Sequence, residues 1–168
     1  TTLFSIRITH SKICKMNLIL RNATIIDNQS AFHNQKVDVV IKDGIIEKIG
    51  ENISNTDDYK EISIEGLHIS QGWFDSSVSL GEPGFEDRET IANGLEVAAK
   101  SGFTAIALQP NSFPIIDNQS QIHFVKQKAQ GFATELFPIG AMTKASEGKD
   151  LAELFDMKNA GSVAFSDG

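Results

Sequence analysis

The stretch FDSSVSLGEPGFEDRETI, residues 74–91, sets Asp75, Ser77 and Ser79 at alternate positions where an apolar strand gives way to a helix. It has the cadence of a metal-binding motif without a histidine or a cysteine. Zinc is held by imidazole, thiolate or carboxylate, and a neutral hydroxyl is a poor donor to it. Ser77 has no case as a nucleophile, since neither a G-x-S-x-G elbow nor a nearby base accompanies it. Glu82, Glu86 and Asp87 offer oxygen ligands for a hard cation. The simpler expectation is that Glu86 and Asp87 complement the positive N-terminus of the following helix. His10, His33, His68 and His123 are far apart and show no ligand spacing.

The elements that must carry these residues fall into two regimes. From Asn17 to Ser70 the signals are for strands. LILRNATIID is rich in branched residues, and KVDVVIKDGIIEKIG sets Asp43-Gly44 between two apolar runs, a two-residue hairpin signal. Val37, Val39 and Ile41 share one face of that strand, and Asp38, Val40 and Lys42 the other. The region reads as an antiparallel sheet. After Gly72 strands alternate with helices. EDRETIANGLEVAAKSG reads as a helix with Ile91, Leu95, Ala98 and Ala99 in one stripe and Gly102 as its stop. NQSQIHFVKQKAQG is a second, with Ile122, Val125 and Ala129 inward; KDLAELFDMKNAG is a third, carrying Leu151, Leu154 and Phe155. Trp73 and Phe74 read as core.

Alternating strands and helices imply parallel pairing through right-handed crossovers. An open doubly wound sheet and part of an eight-stranded β/α barrel both satisfy this pattern. The first strand–helix loop lacks a G-x-G-x-x-G fingerprint, which weakens the dinucleotide-binding reading. A full barrel takes about 250 residues, so a barrel here is about half of one. In such a barrel the reacting groups stand at the C-terminal strand ends: Asp75, Ser77, Ser79, Asn111, Thr143 and Asp167.

The chain has 168 residues, is 40% apolar and 22% charged, and carries a formal charge of −7. That composition fits a packed domain and argues against nucleic-acid binding, which concentrates Lys and Arg. No apolar run approaches the roughly 20 residues of a membrane span. Cys14 is the only cysteine, which excludes an internal disulfide and fits a reducing, cytoplasmic setting. Residues 1–16 read as an N-terminal extension, the alternative being a short strand LFSIRI. Residues 17–70 read as part of a β-sandwich domain and 71–168 as the first half of a β/α barrel.

GWFDSSVSLGEPGFEDRETIANGLEVAAKSGFTAIALQPNSFPIIDN resembles the first barrel segment of the dihydroorotases of the amidohydrolase superfamily. Their pattern runs P-G-x-x-D-x-H-x-H-x-R-E-P-G, then E-T-I, G-G-F-T and M-P-N-T-x-P. The resemblance runs from about Asn17 to Gly168 and takes in EPGFE, ETI, GFT, PN and the terminal FSDG. It implies an α/β fold: a partial (β/α)8 barrel of about four strands and three helices, preceded by a small antiparallel β-sandwich sheet.

In that family the histidine pair holds zinc, an acid or modified lysine after the fourth strand bridges to a second zinc, and the metals activate water on a cyclic amide. An arginine and the asparagine of P-N grip the substrate carboxylate. The resemblance puts Ser77 and Ser79 in the histidine places, Gly81 in the arginine place, Asn111 in the asparagine place and Asp167 in that of the bridging acid. The family often has Asp-Asp-Gly where this chain has SDG. Three changes on three functional positions within an intact EPG frame imply lost catalysis and no bound zinc. The expectation is a catalytically silent dihydroorotase-like protein, oligomeric, serving as a scaffold for aspartate carbamoyltransferase in pyrimidine synthesis. The alternatives are an active cyclic amidohydrolase with an altered metal site and, more remotely, an unrelated doubly wound binding module. The open strand edge after the fourth strand reads as that of a fragment, poorly soluble or oligomeric on its own.

Overall fold

A computed structural model describes residues 17–167. Residues 1–16, with His10, Cys14 and the N-terminal extension, lie outside the described residues, as does Gly168. The chain divides into two compact units after Gln71. No helix among the described residues is long and apolar enough to cross a membrane.

The first unit is a five-stranded sheet made of β1 (Leu18–Ile26), β2 (Lys36–Lys42), β3 (Ile45–Gly50), β4 (Lys60–Ser63) and β5 (His68–Ser70). β1, β2 and β3 are antiparallel, and the β2–β3 turn is Asp43-Gly44 with φ of 50° and 77°. A glycine at the second position takes that left-handed conformation without Cβ crowding. The expected all-antiparallel sheet needs correction at one edge, where β4 and β5 both pair with β1 in parallel. The long polar loop before β4 carries the chain back across the sheet, so direction is set by that crossover, which strand patterning does not encode.

Alternation along β2 supplies two apolar clusters. Val37 and Val39 pack with Ile25, and Val40 packs with Ile19 and Ile53. Asp38 is buried among them and is answered on every side. Its carboxylate accepts from Arg21 Nη1 at 2.7 Å, Asn22 N at 3.0 Å and Ile53 N at 3.1 Å. Burial works against its charge, but the two backbone N–H groups and Arg21 outweigh it and hold the carboxyl below its usual range. Arg21 also forks onto both oxygens of Glu61 at 2.9 and 2.7 Å, tying β1, β2 and β4 together.

The second unit holds β6 (Trp73–Val78), α1 (Ile91–Lys100), β7 (Phe103–Leu108), α2 (Gln119–Lys128), β8 (Glu135–Gly140), α3 (Leu154–Ala160) and β9 (Ala164–Phe165). The sheet order is β6-β7-β8-β9, all parallel. Strands in unbroken sequential order give no reversal point of the kind a doubly wound sheet uses for its ligand. This is the barrel arrangement.

Its core joins Ile106, Leu108 and Leu136 of the strands to Ile91, Leu95, Ile122, Val125 and Met157 of the helices. Three expectations change here. First, α1 begins at Ile91, capped by the Thr90 hydroxyl, which accepts from Asn93 N. Glu86 and Asp87 therefore precede the helix, and Glu82 serves its N-terminus by accepting from Ile91 N at 2.9 Å. Second, α3 begins only at Leu154, so Leu151 lies outside it, and Phe155 is 75% exposed while Met157 and Ala160 face the core. Its apolar stripe is displaced because the helix is two turns long and starts late. Third, Trp73 and Phe74 are 65% and 57% exposed. Phe74 meets Phe137 edge-on at 6.3 Å. Phe137 follows Leu136 of the helix-packed core along β8, so this aromatic pair lies on the face turned away from the helices.

Candidate functional site

Ser77 stands one residue before the end of β6, and Ser79 and Gly81 follow directly after it. Beyond Leu108 the β6–β7 pairing continues through Gln109 N, which donates to Val78 O at 2.9 Å. That register sets two residues from each strand end side by side. Gln109 Nε2 donates to Ser77 Oγ at 3.2 Å, and Asn111 Nδ2 donates to Ser79 Oγ at 2.7 Å. Asp75 turns back on its own segment, accepting from Ser77 N at 3.0 Å. The structure thus brings Ser77, Ser79 and Asn111 together and adds Gln109, which the sequence reading missed. Its signal was available: Gln109 stands where the M-P-N-T pattern has methionine.

Gly81 is fixed by its backbone. Its N–H donates to Glu89 O at 3.0 Å and its carbonyl accepts from Phe85 N at 2.8 Å. A Cβ built there would lie 1.9 Å from Phe85 O, so in this conformation only glycine fits. The next residue, Glu82, is buried and also accepts from Lys128 Nζ at 2.7 Å. It holds α1 and α2 and is spent on the fold.

Asp167 belongs to a separate group. Its Oδ1 accepts from Met142 N and Thr143 N, each at 2.9 Å, and its Oδ2 accepts from Thr143 Oγ1 at 2.8 Å. These bonds, the Thr143 N–H foremost, hold the carboxyl below its ordinary range. Asp167 shares no hydrogen bond with Ser77, Ser79 or Asn111; its partners come from the loop after β8.

Zinc in this setting calls for three protein ligands of nitrogen, sulfur or carboxylate type. The pair at 77 and 79 supplies two hydroxyls that already accept amide hydrogens, and the one acid bonded to this stretch, Asp75, is a single carboxylate that accepts from Ser77 N. Among the described residues no group of three His, Cys, Asp or Glu is placed to hold a metal ion. His33, His68 and His123 are exposed; His33 accepts from Asp27 N, and His68 Nδ1 lies 2.6 Å from Gly66 O. The donor set of these residues does not fit zinc. What it can do is hold the rim of the sheet by neutral hydrogen bonds.

Comparison with known proteins gives this frame its family. A model of the Dihydro-orotase-like family matches residues 66–168. The chain is 42% identical over 152 residues to a dihydroorotase of Pelotomaculum thermopropionicum, covering 90% of the chain and 35% of that protein. It is 36% identical over 154 residues to one of Ruminiclostridium cellulolyticum, covering 90% and 35%. The chain therefore spans about a third of the length of the curated relatives it matches. Among solved structures, the L-hydantoinase (dihydropyrimidinase) of Arthrobacter aurescens aligns with a TM-score of 0.72 at 22% identity, over 89% of this chain and 32% of its own. A dihydroorotase crystal structure aligns with a TM-score of 0.63 at 13% identity, over 89% and 41%. The structural likeness speaks for the fold, and the sequence matches go further: the chain belongs to the dihydroorotase-like family.

Proposed function

We propose that this chain is part of a dihydroorotase-like protein of pyrimidine synthesis that has lost its zinc-binding pair and acts without catalysing the cyclic-amide reaction. The observation that supports this is the pairing of Ser77 with Gln109 and of Ser79 with Asn111. Two hydroxyls stand where the family resemblance puts two histidines, and each is engaged by a neutral amide. An ion able to lower the pKa of bound water to about 7 needs stronger donors than these. Gly81, in the place of a substrate-gripping arginine, removes the forked donor that suits a carboxylate.

The same reading takes the protein to be cytoplasmic, oligomeric and a partner of aspartate carbamoyltransferase; this partner rests on the family resemblance. Both parts are tested on the full-length protein. It is assayed for interconversion of carbamoyl aspartate and dihydroorotate with zinc supplied, and sedimented with and without the aspartate carbamoyltransferase of its own source. The reading expects no turnover above the uncatalysed rate and a co-sedimenting complex. Zinc-dependent turnover overturns the silent-enzyme reading, and independent sedimentation overturns the scaffold.

A further inference from the structure

We propose that Asp167 and Asp117 form a two-carboxylate clamp that fixes the loop of residues 141–150. This goes beyond the loss of the histidine pair, because it assigns a different task to the acid that the resemblance makes a metal bridge.

The loop is held in a conformation it would not choose. Ala145 has φ 50° and ψ 19°, and Ser146 has φ 55°. Two consecutive non-glycine residues in the left-handed region persist only where the surroundings over-determine them. Within the loop, Glu147 N donates to Lys144 O at 3.1 Å across the two left-handed residues, Ser146 N to Thr143 O at 3.0 Å and Lys144 N to Asp150 O at 2.8 Å. Further bonds come from outside it. Asp167, just beyond β9, receives Met142 N, Thr143 N and the Thr143 hydroxyl. Through that hydroxyl it reaches the far side of the loop, since Gly148 N donates to Thr143 Oγ1 at 2.9 Å. Asp117, just before α2, takes Ala145 N at 2.9 Å with Oδ2. Asp117 is itself held by Asn118 Nδ2 on Oδ1 at 3.2 Å and by its own N–H on Gln121 Oε1 at 2.9 Å.

Each clamp arm therefore starts on a different βα segment, and the two arms meet the loop at its entry and at its strained apex. Both oxygens of Asp167 are bonded to the loop, Oδ1 by two donors and Oδ2 by one.

Amide hydrogen exchange on the full-length protein in EDTA tests this, with α1 as the internal reference. Asp167→Ala and Asp117→Ala are each expected to speed exchange across residues 142–148 at least tenfold, with α1 unchanged. Asp167→Asn keeps an oxygen for Met142 N and Thr143 N and is expected to restore most of the protection. Unaltered loop exchange in Asp167→Ala overturns the clamp. Should Asp167→Ala fail to fold, Thr143→Val removes only the bridging hydroxyl. It is expected to expose Gly148 N while Met142 N stays protected, and an unchanged Gly148 contradicts the proposal.

Discussion

Asn111 donates its side-chain amide to the Ser79 hydroxyl at 2.7 Å, a rung that prolongs the β6–β7 pairing beyond its backbone. Gln109 and Ser77 form the rung before it at 3.2 Å. Side chains paired across neighbouring strands are the unit from which sheets draw local stability. In this chain the rim of the sheet is held by amides on hydroxyls.

Loss of the Ser79 rung is therefore a matter of fold stability. Ser79→Ala is expected to cost about 1 kcal/mol, the size of a net neutral hydrogen bond, read as a lower urea midpoint. The loss should be equal in EDTA and in zinc. A cost that appears only when zinc is present would mean that Ser79 serves a metal.

Gly81 gives a sharper expectation. Because a Cβ would sit 1.9 Å from Phe85 O, Gly81→Ala should destabilise the protein by about 2 kcal/mol or more through a forced backbone shift. Thermal unfolding measures it. A neutral Gly81→Ala would show that the turn has room, and Gly81→Arg could then join the Ser77→His, Ser79→His pair in rebuilding the family site.

Asp38 ties stability to pH. Its folded carboxyl lies below the usual range, so the stability it contributes is complete above about pH 4, the unfolded value, and is lost as pH falls through the lower folded value. Glu61, held down by Arg21 and Asn55, acts in the same direction. Asp38→Asn is expected to flatten the acid limb of the stability curve below about pH 4. Parallel acid limbs for the two proteins would remove Asp38 from the account.

Much of the architecture was legible in residues alone. Asp43-Gly44 announced its hairpin because few other pairs tolerate two positive φ values, and Ile91, Leu95, Ile122 and Val125 marked helix faces by their period. What was hidden depended on partners distant in sequence. The parallel pairing of β4 and β5 is fixed by a crossover and not by a pattern. Glu82 reads as one acid among three, yet it alone reaches Ile91 N and Lys128. Phe74 looks like core because composition does not say which sheet face the helices cover. At the site, Ser77, Ser79 and Gly81 could be named from the sequence, while the role of Gln109 needed the register that sets it beside Ser77.

The central claim is that this protein does not hold zinc through residues 77 and 79, and elemental analysis tests it most directly. The full-length protein is purified in zinc-supplemented buffer, dialysed, and compared with Ser77→His, Ser79→His treated alike. The account predicts no stoichiometric zinc in the unmodified protein. One zinc per chain that survives dialysis and is lost on Ser77→Ala, Ser79→Ala would contradict it.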